Sequence, residues 1–229
     1  MWMQFTQAHL SITGLSKSVL CRVPNKGKGK KVYLTFNDGP NPQLTPWVAE
    51  QLRIAGGLKA TFFCVGDHAK QHPEIIKMLK DEGHEVANHS QSHESGWSTP
   101  QKSYFRSFLE CENTLGKTCH FRPPYGRITL NQAKALSTRT QIVLWDVESG
   151  DYDTAKSGKE CLNNLIKQTQ PGSIVVFRDS ERAAPRLLYA LPEYLKWLNK
   201  NGYTPSLIPK DFTRKQPRKL SLTAQLSLL

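Results

Sequence analysis

The sequence predicts an α/β fold of parallel strands joined by helices. Short β-branched or aromatic runs alternate with helical patterns from residue 31 onward, helix-capping residues recur between them, and the chemically versatile side chains fall at the ends of the strand-like runs. Successive right-handed βα units either fan into a doubly wound sheet or close into a barrel, and both arrangements collect functional groups at the carboxyl ends of the strands.

The strand-like runs are residues 32–36, 60–65, 85–88, 120–122, 142–147, 173–177 and 203–207, about seven in number. Helical patterns fall at 45–54, 73–82, 100–115, 130–136, 158–168 and 185–200. Pro46 and Pro73 suit a first helical turn, and Gly56, Gly83 and Gly202 stand where a C-terminal cap belongs. With 229 residues and 38% hydrophobic content, the chain can bury one sizeable core. The expected organisation is an N-terminal arm at 1–30, one domain at 31–208 and a basic tail at 209–229.

The formal net charge of +12 implies attraction to anionic surfaces, with Lys26, Lys28, Lys30 and Lys31 before the first strand and Lys210, Arg214, Lys215, Arg218 and Lys219 in the tail. These runs read either as solvated surface or as an anion-docking patch. Neither a base-stacking motif nor a helix-turn-helix signal is evident, so no specific nucleic-acid partner is expected. The five cysteines, Cys21, Cys64, Cys111, Cys119 and Cys161, are odd in number and lack Cys-x-x-Cys spacing, which speaks against a disulfide framework and for small buried hydrophobes in a reducing compartment. No apolar stretch approaches the ~20 residues that span a bilayer, and the N-terminus lacks an uninterrupted apolar run after a basic start. Residues 1–20 read as an irregular arm, with a membrane-surface anchor as the alternative. The expected location is cytoplasmic or membrane-associated, and the expected state a monomer.

His89 and His93 stand four apart in Asn88-His89-Ser90-Gln91-Ser92-His93, a spacing that puts both imidazoles on one face if the segment turns helically after its strand. Asp38, in Thr35-Phe36-Asn37-Asp38-Gly39-Pro40, ends a neighbouring strand and would complete a two-His, one-carboxylate set with open positions. Such a set suits one divalent metal, zinc first, then cobalt, nickel, manganese or iron. In Phe121-Arg122-Pro123-Pro124-Tyr125-Gly126, the two prolines stiffen a turn that fixes Arg122 and presents the Tyr125 backbone amide towards the same rim. The run Trp145 to Tyr152 adds Glu148, Asp151 and aromatics at the next strand end, a composition able to stack a sugar ring.

In chain order these pieces resemble the polysaccharide deacetylase family, metal-dependent carbohydrate esterases that include chitin and peptidoglycan N-deacetylases. The likeness runs over residues 31–207. The family pattern reads Thr-Phe-Asp-Asp-Gly, His-Ser/Thr-x-x-His, Arg-x-Pro-Tyr/Phe-Gly, an acidic pair ending in Asp-Trp, and an apolar run ending in His. The resemblance implies an irregular, open (β/α)7 barrel and an N-acetylated glycan as substrate. It implies Asp38, His89 and His93 as metal ligands, Pro124, Tyr125 and Tyr152 at the substrate, Tyr125 through its amide in the oxyanion hole, Arg122 as the partner of the catalytic base, and Asp151 as the residue that tunes the catalytic histidine.

Two positions depart from that pattern, and Tyr152 in place of tryptophan is a milder third departure. Asn37 occupies the position of the catalytic base, and a carboxamide has no usable basicity. Arg178, in Ile174-Val175-Val176-Phe177-Arg178-Asp179, occupies the position of the general acid, and a guanidinium holds its proton too firmly to give it to a leaving amine. The changes remove one negative charge and add one positive, which weakens a nearby dication site; pairing of Asp151 with Arg178 would offset part of that. Three readings follow: a deacetylase of N-acetylglucosamine-type glycans with impaired turnover, a glycan-binding or regulatory pseudoenzyme in which Arg178 contacts an anionic substituent, and a binder of nucleic acid or acidic polymer.

Overall fold

The structure, a computed structural model, describes residues 19–25, 27 and 29–210. Lys26, Lys28, Arg214, Lys215, Arg218 and Lys219, and the arm at residues 1–18, lie outside the described residues. Nine strands are described: β1 (Val19–Leu20), β2 (Lys30–Asn37), β3 (Thr61–Cys64), β4 (Glu85–Asn88), β5 (His120–Phe121), β6 (Gln141–Val143), β7 (Val147–Glu148), β8 (Ile174–Arg178) and β9 (Tyr203–Pro205). The helices are α1 (Leu44–Ile54), α2 (Gly66–Gln71), α3 (Pro73–Asp81), α4 (Gln101–Leu115), α5 (Leu130–Leu136), α6 (Gly158–Gln168) and α7 (Ala184–Lys200). The sheet runs β1-β6-β5-β4-β3-β2-β8-β7, with β9 added to β2, and every strand pair in it is parallel. The sheet curls without closing, the irregular open (β/α)7 barrel.

Alternation along β2 shows how the curl is held. Val32, Leu34 and Phe36 face the helices and join the main core with Phe62, Cys64, Val175, Phe177, Val48 and Leu52. Tyr33 faces the interior and packs with Phe63, Ala87, Val143 and Ile174, where Ile208 from the C-terminal segment also lodges. Thr35 and Asn37, on that same inner face, meet the Arg122 side chain instead of an apolar partner. At the opposite, N-terminal end of the strands, Glu85 accepts from Thr61 Oγ1 at 3.1 Å and lies 2.9 Å from His120 Nδ1, while His120 Nε2 reaches the Pro209 carbonyl at 3.3 Å.

Three expectations differ from the structure. The apolar run at 142–147 is two strands, because Leu144, Trp145 and Asp146 break the ladder and Asp146 turns back to accept the backbone N–H of Ile174 at 2.6 Å. Val19–Leu20, assigned to the arm, pairs with Ile142 and Val143 as β1, and Arg22 bridges to Ser173. Helix α2 escaped the pattern because its six residues, Gly-Asp-His-Ala-Lys-Gln, are too short and polar to show a period. Cys21, Cys64, Cys111 and Cys161 are free and buried and Cys119 is free and exposed.

Candidate metal centre

Asp38 leaves β2 with φ 77°, a left-handed conformation that turns its carboxylate back over the barrel mouth, where the carbonyl is held by His68 Nδ1 at 2.8 Å. The loop after β4 is not helical. Asn88 Oδ1 accepts the Ser90 N–H at 2.8 Å and Ser107 Oγ accepts the Gln91 N–H at 2.9 Å, and Ser90 (φ 66°) and His93 (φ 59°) are both left-handed. The two imidazoles therefore converge through a side-chain-built turn, not the helical turn their spacing suggests. Tyr125 (φ 59°) completes the set, so the four non-glycine residues of positive φ among the described residues all lie in the loops of this rim. Such backbone costs of order 1–3 kcal/mol per residue and persists where surrounding contacts over-determine it.

Asp38 Oδ1 lies 3.5 Å from His89 Nε2 and 3.3 Å from His93 Nε2, and one ligand atom from each residue falls within 4.8 Å of the other two, the one such group among the described residues. The His89 ring is buried and its Nδ1 sits 2.7 Å from the Arg122 carbonyl, which only accepts, so Nδ1 carries the proton and Nε2 presents its lone pair. That Nε2 has no hydrogen-bond partner. A buried, unpaired nitrogen aimed at a carboxylate oxygen, with its tautomer set by a backbone carbonyl, is the donor arrangement a divalent cation takes. Burial drives His89 down to about 4, which keeps its ring neutral and its Nε2 lone pair free.

Asn37, buried at the end of β2, accepts from Arg122 Nη1 at 2.8 Å. The same Nη1 donates to Thr35 Oγ1 at 2.7 Å, Nε and Nη2 donate to the carbonyls of Val143 and Leu144 at 3.2 and 3.0 Å, and the guanidinium stacks 4.0 Å over Phe63. Opposite, Arg178 at the end of β8 donates to Glu148 at 2.8 and 3.3 Å and to Asp151 at 3.0 Å, and its guanidinium lies 4.4 Å from the Tyr152 ring centre. Burial disfavours the Arg178 charge, but Glu148 and Asp151 outweigh it and raise its pKa further; burial lifts fully buried Asp151 to about 6 in spite of Arg178. The guanidinium is thus engaged by two carboxylates of its own chain, which leaves little of it for the anionic substituent expected from the sequence.

Sequence reasoning named Asp38, His89, His93, Asn37, Arg122, Asp151 and Arg178, and all of them meet here. Tyr125 lies beside them, its ring 4.6 Å from that of His93, while Pro124 is buried in the turn beneath. Three further residues were missed. His68 sits in a helix without a motif, Glu148 was noted at the rim but given no part, and Asp179 is buried against Gly39 with its Oδ2 accepting from Thr45. Burial pushes Asp179 up to about 7, and its carboxyl occupies the place a side chain at residue 39 would need.

The sequence profile of the polysaccharide deacetylase family matches residues 24–140. A peptidoglycan-N-acetylglucosamine deacetylase of Bacillus cereus is 34% identical over 152 residues, covering 64% of this chain and 54% of the relative. A chitooligosaccharide deacetylase of Sinorhizobium fredii is 34% identical over 167 residues, 69% of this chain and 76% of the relative. The crystal structure of a peptidoglycan N-acetylglucosamine deacetylase in complex with a naphthalenyl benzamide superposes with a TM-score of 0.79 at 27% identity, covering 91% of this chain and all (100%) of that one. The chain belongs to the polysaccharide deacetylase family.

Proposed function

We propose that the chain holds one divalent cation, zinc first among candidates, on Asp38, His89 and His93, that it engages the N-acetyl amide of N-acetylglucosamine-type glycans, and that its hydrolytic turnover is severely impaired. The observation that carries the reading is the unpartnered, buried His89 Nε2 facing Asp38, alongside Asn37 and Arg178 at the flanks. A cation held there supplies Lewis-acid polarisation of an acyl carbonyl and acidifies water.

The remaining chemistry falls to the chain itself. Amide hydrolysis needs one group to take a proton from water and another to protonate the departing amine. Asn37 accepts a hydrogen bond from Arg122 but cannot take up a proton, and Arg178, held charged by Glu148 and Asp151, does not release one. Tyr125 has a left-handed backbone at the rim, and its backbone N–H is the donor this reading assigns to the carbonyl oxygen of a bound acetamide. If each lost proton transfer is worth about 10²–10⁴-fold, little beyond electrostatic assistance remains.

A second reading is favoured by how completely Asn37 and Arg178 are absorbed into hydrogen-bonded networks of their own: a protein that binds glycan without cleaving it. The names of the relatives support the substrate class in both readings. Acetate release from chitooligosaccharides with added zinc or cobalt, for this chain and its Asn37→Asp, Arg178→His double variant, tests them. Weak turnover that rises at least about 100-fold in the double variant supports the impaired deacetylase. Glycan binding with no acetate from this chain supports the second reading, and family-like rates in the unaltered chain sink both.

A further inference from the structure

Trp97 carries no part in the chemistry above, yet its placement is unusually well determined. Gly96, buried beside it, donates its N–H to the Arg127 carbonyl at 3.2 Å, and a side chain at residue 96 would run into that carbonyl at 2.6 Å and into Gln132 Oε1 at 2.6 Å. Gln132 pins the same loop from the other side, donating Nε2–H to the carbonyls of Gly96 and Thr99 at 2.9 and 3.2 Å while it caps α5 in a box with Thr129. The loop after His93 is therefore fastened to the loop after Tyr125. Trp97 nonetheless remains 42% exposed and Tyr125 58% exposed, two large rings that folding has left in water.

Between them lies Arg127, its guanidinium 5.2 Å from the Trp97 ring centre and 5.5 Å from that of Tyr125. Tyr125 in turn meets His93 edge-on at 4.6 Å. His93, Tyr125, Arg127 and Trp97 thus form a chain of contacting flat groups that begins at a candidate metal ligand and ends at an exposed indole. A pyranose presents a face of C–H bonds that packs on such surfaces, and a ledge already fixed by Gly96 and Gln132 loses little freedom when it is covered.

We infer that Trp97, held beside the Arg127 guanidinium and Tyr125, is a stacking contact for the sugar next to the one whose acetamide reaches Asp38, His89 and His93, and so sets how much affinity the chain gains from oligomeric N-acetylated glycans over the monosaccharide. This rests on the glycan reading above. It is tested by isothermal titration of the zinc-loaded chain with N-acetylglucosamine and with its β-1,4-linked tetramer. The tetramer binds more tightly than the monosaccharide, and Trp97→Ala erases about tenfold of that gain, leaving zinc affinity, melting temperature and monosaccharide affinity unchanged; Trp97→Phe restores most of it. Tetramer affinity unaltered by Trp97→Ala overturns the ledge while the glycan reading stands. An equal loss for both sugars overturns it too, and a chain that binds neither sugar overturns both.

Discussion

Arg122 Nη1 donates to Asn37 Oδ1 at 2.8 Å inside a barrel where the guanidinium is fully buried and the four groups accepting its hydrogen bonds are all neutral. Burial, joined by the like charge of Arg178, pushes the Arg122 pKa well below its ordinary value. A carboxylate at position 37 would face the same nitrogen with no change of shape. Asn37→Asp is expected to stabilise the zinc-loaded chain by about 2 kcal/mol, seen as a raised urea midpoint, because a buried cation without a counter-charge is costly. A lower midpoint would show that repulsion from neighbouring Asp38 outweighs the pairing.

Arg178→His removes the shared partner of Glu148 and Asp151. Asp151 has no exposed surface, so leaving it ionised and unpaired is expected to cost roughly 3 kcal/mol at pH 8. The loss shrinks towards acid. A buried carboxyl whose folded pKa lies above its unfolded one is stabilising below the unfolded value and loses that stability as pH rises to the folded one, from about 4 to about 6 for Asp151 with Arg178 present and on to a higher pH without it, so the two proteins diverge above about pH 6. Denaturation midpoints of both proteins across about pH 5 to 8 check this; a loss independent of pH would point to packing alone.

His84 offers a pH effect remote from the candidate metal centre. Its Nδ1 accepts the Ala60 N–H at 3.3 Å, which requires the neutral ring, and burial lowers its pKa to about 4 although Glu82 lies 3.6 Å from Nε2. The Ala60 bond holds the ring neutral beside Glu82, because an imidazolium could not accept it. A depressed folded pKa means stability that is whole above about pH 6.5 and lost as pH falls through about 4, on the order of 2 kcal/mol. His84→Asn keeps an acceptor at the Nδ1 position and should flatten that part of the stability profile in urea titrations.

Ile208 enters the barrel interior beside Tyr33, Phe63, Ala87, Val143 and Ile174 and is 1% exposed. Truncation to alanine opens a cavity in a layer that no helix can collapse onto, and is expected to cost about 2–4 kcal/mol, against about 1 for Ile208→Val. Thermal unfolding distinguishes the two, and equal small losses would mean the segment does not seal the barrel.

Local period made much of this fold readable. The pattern in β2, apolar on both faces from Val32 to Leu34 and polar on the inner face at Thr35 and Asn37, and the Gly and Pro punctuation around α3 and α7 reflect burial and backbone geometry that act within a few residues. The candidate metal ligands could be picked out because Asp38, His89 and His93 are residue types whose chemistry is narrow, and the structure brings them within 4.8 Å of one another. Helix α2 and the break at Leu144 to Asp146 were not, since a six-residue helix shows no period and the break depends on where Asp146 finds the Ile174 N–H, a bond across 28 positions.

What the sequence determined by itself is the alternation of strands and helices, the carboxamide at residue 37 and the guanidinium at residue 178, and the donor types of Asp38, His89 and His93. Those are properties of single residues and short runs. Only the tertiary structure decided that Asn37 meets Arg122 and Arg178 meets Glu148 and Asp151, that a left-handed loop and not a helix joins His89 to His93, and that Gly96 holds Trp97 beside Arg127. The reason is physical: strand order and loop closure set which distant side chains share a rim, and no local preference in the chain encodes that neighbourhood.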